Sequence, residues 1–217
     1  MTAFTLASWN INSVRLRAPL VADWVSQADP DVLCLQEIKC LNEQFPEEAF
    51  REMGFRHFHV RGQKGMHGVA IASKLPLEDL GDEDLCPKAE ARHQRVMVEG
   101  IELHNFYIPA GGDEPDPAIN PRFAHKLGFL DRIEAYFKAR AAENPPLVLV
   151  GVYSWWSYRA RDWKKANRGR RLDHIWAAPA VRERALAGGR DAFRIWEDVR
   201  GWEKPSDHAP VVLRIGG

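Results

Sequence analysis

The sequence predicts an α/β fold in which strands form layered sheets covered by helices. Residues 32–35 and 147–150 are continuous apolar runs, which is typical of strands buried on both faces. Residues 95–108 alternate between apolar and polar on either side of a Glu-Gly turn, which predicts a hairpin and excludes a purely parallel sheet. An apolar stripe at helical spacing over residues 123–141 predicts one long amphipathic helix that can cover a sheet.

The length and composition favour a single domain over residues 1–217 with a substantial apolar core. The chain has 30 Lys+Arg and 30 Asp+Glu, so its net charge argues neither for nor against a nucleic-acid partner. Cys34, Cys40 and Cys86 are odd in number and lack metal-ligand spacing; Cys34 reads as a buried free thiol, which favours a reducing compartment. With no signal peptide or membrane-length apolar stretch, we expect a cytoplasmic protein. We also expect a monomer.

The first strand is expected over residues 4–10, where large apolar residues alternate with small or polar ones. It ends at Asn10 and Asn12, whose spacing on an extended chain places both amides on the same side. The residues that follow have the spacing of one helix face: Leu16, Leu20, Val21, Trp24 and Val25. Residues 29–31, Asp-Pro-Asp, close this helix.

The buried strand at residues 32–35 leads directly to Glu37. This glutamate reads about equally well as a functional group at a strand end and as an acid at the start of a helix. A short helix over residues 45–53, a strand over 69–73 and a solvated acidic loop over 78–84 are expected next.

Residues 109–121 are rich in Pro, Gly and Asp and predict a loop before the long helix. The helix stripe consists of Phe123, Leu127, Leu130, Ile133, Phe137 and Ala141. Two prolines at 145–146 stop the helix before the buried strand at 147–150.

Residues 152–171 combine aromatic and basic side chains. From Arg159 to Arg171 there are seven Lys/Arg residues and one acid, a pattern suited to phosphate contacts with stacking. The alternative is that the tryptophans belong to the core; we expect one of Trp155 and Trp156 to be buried and the other exposed near a site.

Three further strands are expected over residues 172–176, 193–196 and 211–215. The last follows a turn at 204–210 that is punctuated by two prolines and contains Asp207 and His208. A histidine that titrates near neutral pH can donate to a phosphate or accept a proton, and an adjacent aspartate can bind a hard cation. The alternative for an isolated Asp-His pair is an exposed polar turn.

Polar groups recur at predicted strand ends, and strand ends on one side of a layered fold meet at one rim. These groups are Asn10, Asn12, Glu37, Tyr107, Asp173, Asp207 and His208. The chemistry they suggest is metal-assisted attack of water on a phosphodiester, with Glu37 and Asp207 as hard ligands for Mg²⁺. Amides, Tyr107 and a protonated His208 suit the non-bridging phosphate oxygens, and Asp173 suits the orientation of the histidine.

Eight short motifs occur in order along nearly the whole chain. They are WNINSVR at 9–15, LQEIK at 35–39, GVAI at 68–71, NFYIP at 105–109, YSWWSYR at 153–159, NRG at 167–169, RLD at 171–173 and SDHAP at 206–210. Each is weak alone, but together the set resembles the exonuclease III family of Mg²⁺-dependent abasic-site (AP) endonucleases. The resemblance implies a four-layered α/β sandwich, with two mixed, mostly antiparallel sheets packed face to face and flanked by helices. It also implies DNA repair on duplex DNA by 3′→5′ exonuclease, 3′-phosphatase and abasic-site endonuclease activities.

The resemblance also implies a role for each matching residue. Glu37 and Asp207 match metal-site acids, with Asn10 and Asn12 as the amides near Glu37, and Mn²⁺ is a possible substitute for Mg²⁺. Tyr107 matches a phosphate-contacting tyrosine, and Asp173 with His208 matches a carboxylate–histidine pair. The expected DNA-contacting residues are Arg15, Lys39, Trp155, Trp156, Tyr158, Arg159 and Arg168, with Trp155 beside the extruded abasic sugar.

One feature departs from the family pattern. The family has an aspartate directly after the strand equivalent to 147–151 and an asparagine two residues later, and these align the attacking water. Here Val152 and Tyr153 follow Gly151, and a family segment between this strand and the Trp155 motif is missing. Either the chain has lost this segment, or the printed sequence joins two stretches that are separated in the protein; we favour the second because every flanking motif is intact.

A DNA-repair nuclease is therefore the first functional hypothesis. The alternatives are a catalytically impaired DNA-binding deletion variant of the same family, and a phosphatase of the superfamily that acts on small or lipid phosphates. The two tryptophans and the basic segment after them favour DNA over the last alternative.

Overall fold

The computed structural model describes residues 2–151 and 173–217, together with the backbone of residues 154–155 and 170–171. Its strands, in chain order, are β1 Phe4–Asn10, β2 Val32–Gln36, β3 His57–Arg61, β4 Val69–Ser73, β5 Glu78–Asp79, β6 His93–Val98, β7 Ile101–Phe106, β8 Leu147–Gly151, β9 Ser154–Trp155, β10 Arg170–Arg171, β11 His174–Ala177, β12 Phe193–Ile195 and β13 Val211–Ile215. Its α-helices are α1 Val14–Ala28, α2 Glu47–Glu52, α3 Pro121–Arg140 and α4 Arg182–Leu186. Short 3-10 helices lie at Asn42–Gln44, Ala141–Glu143, Pro179–Val181, Gly189–Ala192 and Glu197–Gly201.

The strands form two large mixed sheets. The first has the order β12-β13-β1-β2-β4-β3, in which β1 and β2 are parallel and every other neighbouring pair is antiparallel. The second has the order β11-β8-β7-β6-β5, in which only β7 and β8 are parallel. Strands β9 and β10 form a separate antiparallel pair. The mixed, mostly antiparallel architecture confirms the predicted fold class.

Three apolar clusters fill the spaces between four layers. Alternation along β1 sends Leu6 into the cluster between the two sheets and Trp9 into the cluster against α1 and α2. A third cluster lies between the second sheet and α3, where Phe106 meets Phe129. The layers are therefore helix, sheet, sheet and helix, and each sheet is apolar on both faces.

Several local predictions need correction. Leu16 was placed on the buried face of the first helix but is 55% exposed, because that face is formed by residues such as Val21 and Trp24. The acidic loop at 78–84 contains β5, which pairs with β6 at its edge. Strand β3 was not predicted, because all of its residues are half-buried at a sheet edge and two are histidines.

Other elements have shifted bounds. The helix expected over residues 45–53 is only the six-residue helix α2, since the backbone at Phe45 is still extended. The long helix α3 begins at Pro121, with Asn120 as its cap, and ends before Ala141. Only Phe129 is fully buried on α3, because the helix lies on the outer face of the sheet rather than between layers. No helix in the described part of the chain combines the length and apolar character needed to cross a membrane.

Candidate active site

Strand direction brings the predicted polar residues to one rim of the two-sheet sandwich. The parallel pair β1 and β2 ends at Asn10 and Gln36, which are paired in register. Strand β13 runs antiparallel to β1 and pairs Val211 with Ser8, so the turn before β13 lies beside the end of β1. In the second sheet, Gly151 ends β8 opposite the first residue of β11, and Asp173 directly precedes that residue.

Four of the predicted residues are joined by hydrogen bonds at this rim. The Asn10 Nδ2 donates to Glu37 Oε1 at 2.8 Å, and the Asn12 backbone N–H donates to Asn10 Oδ1 at 3.1 Å. The Asn12 Nδ2 donates to Asp207 Oδ1 at 3.0 Å. The two predicted metal-site acids are therefore tied to the two amides. Strand β1 ends at Asn10, and Asn12 has positive φ, so Asn12 lies beyond the extended segment on which both amides were expected.

The backbone around these side chains is held in an uncommon conformation. Asn12, Ser13, Glu37 and Lys39 all have positive φ, at 48°, 84°, 52° and 53°. The two turns are bonded to each other, since the Ser13 N–H donates to the Glu37 carbonyl at 2.7 Å. Left-handed conformations at non-glycine residues cost about 1–3 kcal/mol each and cluster at functional sites, where the surrounding structure holds them in place.

The buried Asp173–His208 pair lies next to this network. His208 Nδ1 is 3.8 Å from Asp173 Oδ2, and both side chains are almost fully buried. His208 Nε2, on the other side of the ring, is 3.9 Å from Asp207 Oδ1. A carboxylate on the Nδ1 side favours a proton there and directs Nε2 toward the rim.

Backbone contacts fix the turn that carries the histidine. The indole of Trp9 donates to the His208 carbonyl at 3.0 Å, and the Ser206 hydroxyl donates to the Asn10 carbonyl at 2.7 Å. Arg200 donates to the Ser206 carbonyl from a buried position. These contacts join the C-terminal turn to β1, so the alternative of a freely exposed polar turn is wrong.

Tyr107 is connected to the rim by a contact with His67, which lies in the loop before β4. Its ring lies 6.1 Å from the ring of His67, and the His67 carbonyl accepts from the Lys39 N–H at 2.9 Å. Arg92 stacks over the Tyr107 ring at 4.4 Å and donates to the Tyr107 carbonyl. Burial and the positive charge of Arg92 lower the pKa of His67, against the opposing effect of Glu90 and Glu37.

The oxygen atoms at the rim suit a hard cation. Lys39 Nζ lies 2.6 Å from Asn12 Oδ1 and 3.1 Å from Glu37 Oε2, so one positive charge already sits against a carboxylate and an amide oxygen. Oxygen donors of this kind are the ligands that Mg²⁺ and other hard divalent cations prefer. Both Glu37 oxygens have partners, Oε1 with Asn10 and Oε2 with Lys39, and Asp207 is partly exposed where it accepts from Asn12.

The expected DNA-contacting residues are only partly described. Arg15 is exposed on α1, beside the rim, and Lys39 lies within the acidic network rather than on the open surface. The side chains of Trp155, Trp156, Tyr158, Arg159 and Arg168 lie outside the described residues, as do Val152 and Tyr153 of the departure from the family pattern.

A buried amide bridge behind the rim was not predicted. Gln36 Nε2 donates to Asn105 Oδ1 at 2.8 Å across the two sheets, and Asn105 Nδ2 lies 3.1 Å from the Leu35 carbonyl. Gln36 stands one position before the predicted site residue Glu37, and Asn105 stands two positions before Tyr107. Their amides inside apolar strands were the available signal, because a buried amide must find hydrogen-bond partners.

Comparison with known proteins identifies the family of this chain. The profile of the Endonuclease/Exonuclease/phosphatase family matches residues 7–208. The chain belongs to this family. The match runs from β1 to the histidine of the C-terminal turn, so it spans the whole rim.

Individual relatives are similar over their full length. Exodeoxyribonuclease III of Haemophilus influenzae is 25% identical over 269 residues, covering 94% of this chain and 97% of that protein. An AP endonuclease from Archaeoglobus fulgidus has a TM-score of 0.84 at 26% identity and covers 98% of this chain and 99% of its own. A 3′-phosphatase from Neisseria bound to a product DNA hairpin has a TM-score of 0.83 at 25% identity, covering 99% and 100%.

These findings confirm the resemblance drawn from the ordered motifs. The chain is a hydrolase of a family whose nucleases depend on a divalent cation. Its relatives support a DNA-repair nuclease.

Proposed function

We propose that this protein hydrolyses phosphodiesters in duplex DNA, acting at abasic sites and at 3′ ends as a Mg²⁺-dependent repair nuclease. The observation that carries the proposal is the joining of Asn10, Asn12, Glu37 and Asp207 at one rim, beside the buried Asp173–His208 pair. Relatives that act as an exodeoxyribonuclease, an AP endonuclease and a 3′-phosphatase supply the substrate class.

The rim divides into a cation-binding part and a phosphate-binding part. Glu37, Asp207 and Asn12 would hold Mg²⁺ through oxygen atoms, and the ion would neutralise charge that builds up on the phosphate. Mn²⁺, which also accepts oxygen ligands, is a substitute in this proposal. Lys39 Nζ lies against the same oxygens, so a cation held there would displace it.

The phosphate-binding part consists of His208, Tyr107 and Asn10. His208 presents Nε2 to a non-bridging phosphate oxygen, while the Asp173 carboxylate, 3.8 Å from Nδ1, orients the ring. Arg92 and His67 fix the Tyr107 ring, which orders its hydroxyl before substrate arrives. Asn10 fixes Glu37 and contributes an amide donor at the same rim.

The DNA contacts extend outward from the rim. Arg15 and Lys39 lie on the β1 and β2 side, and the basic segment with Arg159 and Arg168 provides further phosphate contacts. Trp155, Trp156 and Tyr158 supply stacking surfaces for an unpaired sugar or base. In this proposal the protein acts as a cytoplasmic monomer.

A second candidate function follows from one sequence observation. Val152 and Tyr153 stand where the family has its water-aligning aspartate and asparagine. If the protein truly lacks those two residues, it binds Mg²⁺ and DNA but cleaves several orders of magnitude more slowly, since loss of a catalytic carboxylate costs about 10⁴-fold or more in comparable enzymes.

The test compares substrates of different classes under one set of conditions. Purified protein is incubated with a duplex containing a tetrahydrofuran abasic analogue, a duplex with a 3′-phosphate, and a small phosphomonoester, each with Mg²⁺ or with chelator. We expect both duplexes to be cleaved only with Mg²⁺, and the small ester to remain intact. Cleavage of the small ester alone would assign the protein to the phosphatases of the superfamily, and DNA binding without cleavage would support the impaired variant.

A further inference from the structure

A second group of metal-ligating side chains lies away from the oxygen-rich rim. Cys86 and Glu90 belong to the segment before β6, and His125 lies near the start of α3. Their ligand atoms all lie within 4.8 Å of one another. None of the three belongs to the rim, and within the described residues this is the one such group of cysteine, histidine and acidic side chains.

The two distances from the Cys86 sulfur lie near the edge lengths of a tetrahedral coordination sphere. Cys86 Sγ is 3.3 Å from His125 Nε2 and 4.0 Å from Glu90 Oε2. Zinc–ligand bonds of about 2.3 Å to sulfur and about 2.0–2.2 Å to nitrogen or oxygen, at tetrahedral angles, separate the ligand atoms by about 3.6 Å. Small side-chain adjustments therefore place all three atoms around one ion.

The surroundings hold these ligands in position. Cys86 is buried in the apolar cluster under α3 with Phe106 and Phe129, which fixes its sulfur. Glu90 Oε2 accepts from Arg92 Nε at 2.5 Å, and Glu90 Oε1 lies 3.5 Å from His67. Ligating carboxylates are characteristically held by such outer hydrogen bonds.

We propose that Cys86, Glu90 and His125 form a binding site for a thiolate-preferring divalent metal ion of the zinc class. A Cys, His and carboxylate set fits Zn²⁺, whereas Mg²⁺ prefers oxygen ligands alone. On binding, a bond forms between the ion and the Cys86 sulfur, and the thiol proton is released to solvent. The fourth position is left for water, since three protein side chains converge.

This site was not predicted from the sequence because its ligands come from separate elements. Cys86 and Glu90 lie in a loop, and His125 lies on a helix that begins after a long connection. The ion would fasten α3 to the segment before β6. Because an ion that binds only the folded state stabilises it, saturating Zn²⁺ is expected to raise the melting temperature.

The experiment uses Co²⁺ as a spectroscopic probe and Zn²⁺ as its competitor. Metal-stripped protein is placed in excess Mg²⁺, which occupies the oxygen-lined rim, and is then titrated with Co²⁺. We expect a thiolate-to-cobalt charge-transfer band that saturates at one equivalent and is abolished by Zn²⁺. Oxygen ligands alone give no such band, so the rim cannot produce it.

Three variants complete the test. Cys86→Ser and His125→Gln are expected to weaken Co²⁺ binding by at least about 100-fold, more than loss of an outer-shell partner. The matched control Cys40→Ala removes another buried cysteine and should keep the band. His125 is partly exposed, so its variant keeps the test valid if Cys86→Ser fails to fold. Absence of the band in the unaltered protein, or its survival in His125→Gln, would overturn the proposal.

Discussion

Gly68 supports the loop beside Glu37 in a conformation that an alanine would strain. Its φ is +97°, and a Cβ built there would lie 2.6 Å from Ile38 Cγ1, whose side chain is fully buried. The Gly68 carbonyl accepts from the Ile38 N–H at 3.2 Å, so the loop is bonded directly to the residue after Glu37. Gly68→Ala should therefore strain the backbone and, through the contact with Ile38, also displace the rim.

The expected loss of stability in Gly68→Ala has two parts. A left-handed backbone costs an L-residue about 1–2 kcal/mol, and overpacking of a buried contact costs about 1–3 kcal/mol. We expect Gly68→Ala to lower the free energy of unfolding by about 2–5 kcal/mol. The rate of DNA cleavage should fall as well, because Ile38 and Glu37 move together.

Gly65 provides a matched control in the same loop. Its φ is +100°, but a Cβ there would have nothing within 4 Å. Gly65→Ala should therefore lower the free energy of unfolding only by the cost of the left-handed backbone, about 1–2 kcal/mol, and leave the cleavage rate unchanged. Urea denaturation of the two variants measures the difference. Equal losses of stability, or full cleavage activity in a folded Gly68→Ala protein, would refute the claim that Gly68 packing positions the rim.

Four further predictions concern acid stability, the histidine pair, the buried amide bridge and the chain itself. Burial and the neighbouring His104 lower the pKa of His93 to about 3, so the unfolded chain binds this proton before the folded protein does as pH falls below about 6.5. His93 should therefore lower the free energy of unfolding by about 2 kcal/mol between pH 7 and pH 5. Urea denaturation of His93→Leu should show a weaker dependence of stability on pH. Asp173→Asn should reduce single-turnover cleavage by about 10²–10⁴-fold while DNA affinity measured by fluorescence anisotropy stays the same, and a large loss of affinity would argue against a role through His208. Asn105→Ala should lower the free energy of unfolding, measured by urea denaturation, by about 3 kcal/mol, because the Gln36 amide loses its acceptor and two strand carbonyls lose a donor. A loss below about 1 kcal/mol would mean that other contacts replace the bridge. The intact mass of the purified protein should exceed 24.7 kDa by several kDa if a segment after Gly151 is absent from the printed sequence, whereas a mass near that value would mean a true deletion and favour the impaired variant.

Much of the rim could be predicted because its residues stand at the ends of strongly patterned strands. The apolar run at residues 32–35 fixes where β2 ends, and the alternation over residues 4–10 fixes the side on which Asn10 lies. Two strands that end at the same edge of a sheet bring their following residues together. Asn10 and Glu37 are therefore neighbours for a reason that is readable in the sequence.

The details that depend on turn geometry were not predictable. Lys39 contacts Glu37 and Asn12 only because Glu37 and Lys39 adopt positive φ, which nothing in their residue types favours. Strand β3 was missed because an edge strand of half-buried residues has no clear alternation. Leu16 was misplaced because an apolar residue at the right spacing can still project from the exposed flank of a helix.

The Cys86, Glu90 and His125 cluster could not be predicted for a different reason. Short-range metal motifs are recognised by spacing, and here the histidine comes from a helix far along the chain. Only the packing of α3 against the second sheet brings it to the cysteine.

The central claim is that the rim containing Glu37 and His208 is the centre of a DNA nuclease. The most direct test is the single-turnover rate of cleavage at a tetrahydrofuran site with Mg²⁺, measured for Glu37→Gln and His208→Ala. Glu47→Gln, on the exposed helix α2, is the matched control and should cleave at the original rate. We expect each rim variant to lose about 10²-fold or more in rate while remaining folded. Cleavage at the original rate by either folded rim variant would contradict the assignment of the active site.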